Sequence, residues 1–175
     1  PPGSEAAAYM DRSVAIGAGR WLNPPLATGL MLGAAEVMAD DNILIIGAGT
    51  GYLASLLAAG PATVTAVESD SALTALARAN LDGSSVHIVD GPLNEGWSAN
   101  APYSLIVIDG AVEEIPAAIV AQLADGGRVV TGLADGAVTR LAIGYGHGGK
   151  VALRPFADSE IAPLPGFARA REFVF

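Results

Sequence analysis

Cysteine is missing from all 175 residues. Disulfides, thiolate zinc sites and a cysteine nucleophile are therefore excluded, and a cytoplasmic home is the simple expectation. Histidine is scarce: His87 and His147 lie far apart in the chain, so no metal site is expected. Positive charge is scarce too, with 9 Lys and Arg against 18 Asp and Glu and a net charge of −9. Nothing resembles a Lys/Arg stripe, which argues against a nucleic-acid partner, whose binding draws on phosphate neutralisation. The apolar stretches are broken by Gly, Pro, Asp or Glu, well short of the roughly 20 residues of a membrane span, so no membrane partner is expected. The chain opens on Pro1-Pro2, and no signal peptide is visible.

The composition is otherwise that of a globular chain, with 51% hydrophobic and 15% charged residues. The length suits one domain, taken as residues 1–175. Short β-rich apolar runs at Asn42–Ile46, Thr63–Val67, Val86–Val89, Ser104–Ile108 and Arg128–Gly132 lack the alternation of a strand with one wet face. They read as buried parallel strands. Helical stretches are predicted at Tyr52–Ala59, Ser71–Leu81 and Ile115–Leu123, and over "NPPLATGLMLGAAEVMA" with Asn23 as cap. Asp70 or Ser71 caps the second of these, and Gly83 follows its end. Near the C-terminus, two β-like runs flank "GYGHGG", and "REFVF" reads as a further strand. The predicted fold is α/β: a Rossmann-like, doubly wound, mostly parallel seven-stranded sheet with an antiparallel C-terminal hairpin.

"GAGTG", residues 47–51, follows the first predicted strand at the expected reversal of winding, where open α/β sheets bind ligands. Gly47, Gly49 and Gly51 let the backbone turn tightly and let a ligand rest against it. Glu68, ending the next strand, is placed to accept hydrogen bonds from both hydroxyls of a ribose. Asp90-Gly91 after the third strand offers an acceptor for an adenine amino group. The spacing is not the G-x-G-x-x-G of dinucleotide enzymes, because Tyr52 stands where the third glycine would fall, and no G-x-x-x-x-G-K-[ST] is present. A ligand with adenine and ribose but no pyrophosphate fits, and S-adenosyl-L-methionine is the candidate cofactor. A nicotinamide- or flavin-binding oxidoreductase is the alternative the spacing disfavours.

The chain resembles the protein-L-isoaspartate O-methyltransferases, a branch of the class I S-adenosylmethionine-dependent methyltransferases. The resemblance runs in order through "AYMDRSVAIGAGRWLNPP", "ILIIGAGTGYLASLLA", "AVESD", "VDGPLNEGW" and "APYSLIVIDGAVEEIPAAIVAQLADGGRVV", covering residues 8 to about 132. It implies that Gly47, Ala48, Gly49, Thr50 and Gly51 line the cofactor's methionine and ribose, that Glu68 holds the ribose, and that Ser69, Asp90 and Gly91 lie at the adenine. Ile108-Asp109-Gly110 would face the sulfonium. A protein, peptide or small carboxylate acceptor would enter over Trp21, Leu22, Asn23 and Pro24, with residues 1–25 or so forming the substrate side.

Three departures from the family pattern stand out. Its acid two positions before the first glycine is Ile45. Its Gly-Gln-Thr-Ile-Ser-x-Pro reads Gly19-Arg20-Trp21-Leu22-Asn23-Pro24-Pro25. Its N-terminal helical region with Phe-Val-Pro has no counterpart among these residues. A cofactor-binding but catalytically silent domain is therefore a further alternative. An acceptor carboxylate, with a pKa near 4, needs no base at neutral pH. For another acceptor, Asp109 is the candidate base, with Asn23 as a second catalytic candidate. His87 is expected in the core or at an edge, His147 in solvent, and Trp97 over the cofactor edge or the core.

Overall fold

The computed structural model describes residues 10–169. A two-stranded hairpin, β1 (Val14–Gly17) and β2 (Arg20–Leu22), precedes α1 (Pro25–Ala35). Strand–helix alternation follows: β3 (Asn42–Ile46), α2 (Tyr52–Leu57), β4 (Thr63–Glu68), α3 (Ser71–Asn80) and β5 (His87–Asp90). Then come β6 (Tyr103–Val112), the single turn α4 (Ala117–Val120), and the meander β7 (Leu123–Asp135), β8 (Val138–His147) and β9 (Lys150–Asp158). The main sheet has seven strands in the order β5-β4-β3-β6-β7-β8-β9, parallel from β5 to β7 and antiparallel beyond. The winding reverses between β3 and β6, beside the glycine loop. The predicted doubly wound fold is the observed one.

Alternation along the strands divides the core. Ile43 and Ile45 of β3, with Leu105 and Val107 of β6, face Met31, Ala35, Leu53, Leu57 and Ala77 of the first three helices. Leu44, Ile46, Ile106 and Ile108 face the opposite layer, built from α4, Tyr103 and the C-terminal Leu164 and Phe167. Residues 43–46 are all fully buried, each such aliphatic side chain contributing about 1.5–3 kcal/mol on leaving water. A continuous apolar run reads as a strand buried on both faces because both faces are covered.

Several boundaries differ from expectation. The helix predicted over Ile115–Leu123 shrinks to Ala117–Val120, because Leu123 already pairs with Tyr103 in the sheet. The strand predicted to stop at Ile108 continues to Val112: Ile108 pairs with Thr131 and Ala111 with Gly132, leaving Asp109-Gly110 as a bulge. Asn23 does not cap α1. The cap position is Pro24, and no side chain bonds there. Asp70 caps α3, accepting from the amides of Ala72 and Leu73. His87 is exposed on the edge strand β5, and the predicted "REFVF" strand lies outside the described residues. One unanticipated feature is the segment after β9. It docks on the bulged end of β6, where Ala111 N–H donates to Ala162 C=O and Leu164 N–H to Ala111 C=O, both at 2.8 Å.

Candidate cofactor site

The glycine loop is tied to β4 from below. The Gly47 and Ala48 amides donate to Val67 C=O at 2.9 and 3.0 Å, and the Gly51 amide closes a turn on Ala48 C=O. Gly47, Gly49 and Gly51 have φ of 89°, 54° and 87°, a region that L side chains avoid. Close approach matters as well. A Cβ on Gly47 would sit 2.8 Å from Arg20 Nη2, and one on Gly49 3.1 Å from Ile16 Cδ1. Thr50 is partly exposed, and its carbonyl accepts from Asn80. The positive φ angles match the tight turn expected there, and the groups that lie against the loop are the side chains of Arg20, Ile16 and Leu164.

Glu68 ends β4 with its carboxylate wholly buried. Oε2 accepts from the Gly49 amide at 2.8 Å, and Oε1 from the amides of Ser69 and Asp70. Oε1 also takes Arg20 Nη1 at 2.7 Å, an ion pair whose side chains are 5% and 0% exposed. Arg20 is the neighbour of the candidate site that sequence reasoning missed. A signal was present: no Lys or Arg falls between Arg20 and Arg78. A lone cation beside the loop, with a lone acid at the next strand end, is a pair worth testing.

Two more strand ends complete the site. Asp90 is exposed at the end of β5. A Cβ on the adjoining Gly91 would meet Val67 at 3.5 Å and the Trp97 ring at 3.6 Å, so Trp97 packs against the expected adenine position. Its indole Nε1 is buried without a hydrogen-bond partner among the described residues. Asp109, lifted out of the ladder by the bulge, accepts from Asn23 Nδ2 at 2.7 Å. Burial raises Asp109 from the ordinary 3.8 to about 6, with the Asn23 hydrogen bond and the Arg20 charge pulling it down and Glu68 pushing it up. Asn23 Oδ1 is itself buried and has no hydrogen-bond partner among the described residues. Among the acceptor-side residues, Trp21 is 47% exposed, Leu22 is partly buried, and Asn23 and Pro24 are buried.

The structure thus gathers the loop, Glu68, Asp90-Gly91, Asp109 and Asn23 around the carboxyl ends of β3 to β6. Their chemistry suits an adenosyl ligand: a side-chain-free shelf, a carboxylate with two oxygens at the second strand end, and an exposed acceptor at the third. The Asn23 oxygen, buried and without a partner among the described residues, is an unmet acceptor at the site. His147, exposed at the β8–β9 turn, takes no part.

The fold is Rossmann-like, with the loop and the strand-end acids at its reversal of winding. Solved structures agree on the fold. A protein-L-isoaspartate O-methyltransferase matches with a TM-score of 0.77 at 21% identity, over 84% of this chain and 49% of that one. A β-aspartate methyltransferase from Plasmodium falciparum, in complex with S-adenosyl-L-homocysteine, matches at 0.78 and 17% identity, over 89% of this chain and 81% of that one. The family model for protein-L-isoaspartate(D-aspartate) O-methyltransferase matches residues 2–145, and the chain belongs to that family. A protein-L-isoaspartate O-methyltransferase from Koribacter versatilis is 33% identical over 162 residues, 91% of this chain. One from Methanoculleus marisnigri is 39% identical over 135 residues, 74% of this chain. The chain spans 73% of the first relative's length and 60% of the second's.

Proposed function

We propose that residues 1–175 act as one S-adenosylmethionine-dependent methyltransferase domain that methylates a carboxylate of the isoaspartyl type on a protein or peptide. The observation that carries this reading is the convergence of the positive-φ glycine loop, Glu68 and Asp109 at the reversal of winding between β3 and β6. When bound, S-adenosylmethionine supplies an activated methyl group on a sulfonium. Gly47, Ala48, Gly49, Thr50 and Gly51 would seat it, Glu68 would take the ribose hydroxyls, and Ser69, Asp90 and Gly91 would meet the adenine.

The chain's own contribution is orientation and exclusion of water. Burial pushes Asp109 up to about 6, and Asn23 N–H fixes its orientation. A carboxylate acceptor is itself ionised at neutral pH, so no group in the site has to remove a proton. Trp21, Leu22 and Pro24 border the same entrance and would contact the acceptor. Titration calorimetry with S-adenosylhomocysteine, followed by methyl-ester release from an isoaspartyl peptide against its aspartyl twin, tests the reading. Binding without turnover on either peptide would favour a silent cofactor-binding domain, the reading suggested by Ile45 lying buried beneath the loop.

A further inference from the structure

The β1–β2 hairpin is a sheet of its own, of 4 and 3 residues, with no ladder to the seven-stranded sheet. Two-stranded ribbons are marginal by themselves in water. The turn Gly17-Ala18-Gly19 holds three consecutive positive φ angles, 97°, 52° and 68°, and an alanine pays a steric penalty there. Among the described residues, nothing lies within van der Waals reach of a Cβ at either glycine. Two contacts at the loop hold the hairpin down: Ile16 against Gly49, and Arg20 across Gly47 onto Glu68.

That second contact competes with the ligand. A ribose donates from two hydroxyls and needs both oxygens of Glu68, yet Oε1 is engaged by Arg20 and two amides, Oε2 by the Gly49 amide, and none of the side chain is exposed. The diol reaches the carboxylate only when the guanidinium leaves. A departing Arg20 has a second anion nearby, since its charge already acts on Asp109.

We propose that Arg20 is a displaceable latch on the nucleoside slot: Glu68 exchanges the guanidinium for a ligand's vicinal diol, and the β1–β2 hairpin lifts with it. The inference rests on the cofactor reading above. Adenosine, which has the diol but no carboxylate, isolates the exchange from any contact of Arg20 with an amino-acid arm. Calorimetry on Arg20→Gln should show adenosine bound about tenfold more tightly than by wild type, the factor by which a mostly closed slot lowers apparent affinity. 2′-Deoxyadenosine, lacking the diol, should gain less. In the wild-type protein, which needs no variant to fold, adenosine should speed amide hydrogen exchange across residues 14–22. Equal or weaker adenosine binding by Arg20→Gln, or hairpin amides that exchange more slowly with adenosine, would overturn the latch while leaving the cofactor reading standing. Failure of both proteins to bind adenosine and S-adenosylhomocysteine would bring down the cofactor reading, and the latch with it.

Discussion

Glu68 answers to folding and to binding at once. Its carboxylate organises three backbone amides and the buried Arg20. Glu68→Ala should weaken S-adenosylhomocysteine binding by about 1–3 kcal/mol through lost charged hydrogen bonds. It should also lower stability by about 3–5 kcal/mol, because Arg20 is left buried and unpaired. Calorimetry and urea denaturation read the two losses separately. At Gly49, valine meets both the left-handed backbone and Ile16. Gly49→Val should abolish cofactor binding and cost about 1–2 kcal/mol in backbone strain, measured by the same pair of methods. Asp109 has the opposite sign to an ordinary salt-bridged acid. Its folded pKa is raised from 3.8 to about 6, so the folded state holds the proton more tightly. Its contribution to stability is present below the lower value and fades as pH rises through the upper one. Asp109→Asn should flatten that part of the stability–pH curve in urea titrations.

Among the elements, the end of α1 and the starts of β3, β6 and β7 are tied by one buried node. Arg128 donates to both oxygens of Asp41 and to the carbonyls of Ala35, Glu36 and Ser104, while Ser104 Oγ donates to Asp41 at 2.6 Å. Burial by itself would raise Asp41, but the Arg128, Met38 and Ser104 hydrogen bonds outweigh it and hold the carboxyl below its ordinary value. Stability from Asp41 is therefore present above the unfolded-chain value, near 4, and is lost as pH falls through the lower folded one. Arg128→Met should cost about 3–5 kcal/mol, because it strands the Asp41 charge. The exposed pair Arg140–Asp158, at 3.3 Å, should lose less than about 1 kcal/mol on Arg140→Met. Chemical denaturation of the two variants side by side measures the contrast. The same scale explains where element prediction succeeded. β3 is legible to the residue because the unbroken apolar run between Asn42 and Gly47 has only one place to go. α4 was overestimated because Leu123 had a strand partner in Tyr103 that local periodicity does not encode.

Across the whole molecule, a net charge of −9 argues against a polyanion partner, and no helix of the described residues is long and apolar enough to cross a membrane. Electrophoretic mobility assays at low salt should show no shift of RNA or DNA, whereas a shift would mean that charge distribution outweighs net charge. Fold class, the glycine loop and the acids at the ends of β4 and β5 could be read from sequence because each depends on residue type at short range. Backbone freedom, strand burial and a strand-end carboxylate are local properties. Two features depended on distance instead. Asn23 looks like a helix cap until the bulge in β6 brings Asp109, 86 residues away, to its amide. Arg20 looks like a surface cation until the hairpin folds it over Gly47 onto Glu68. The sequence by itself determined the shelf and its acids; only tertiary structure decided which side chains occupy them, because a charge buried in low dielectric takes the nearest opposite partner the fold supplies.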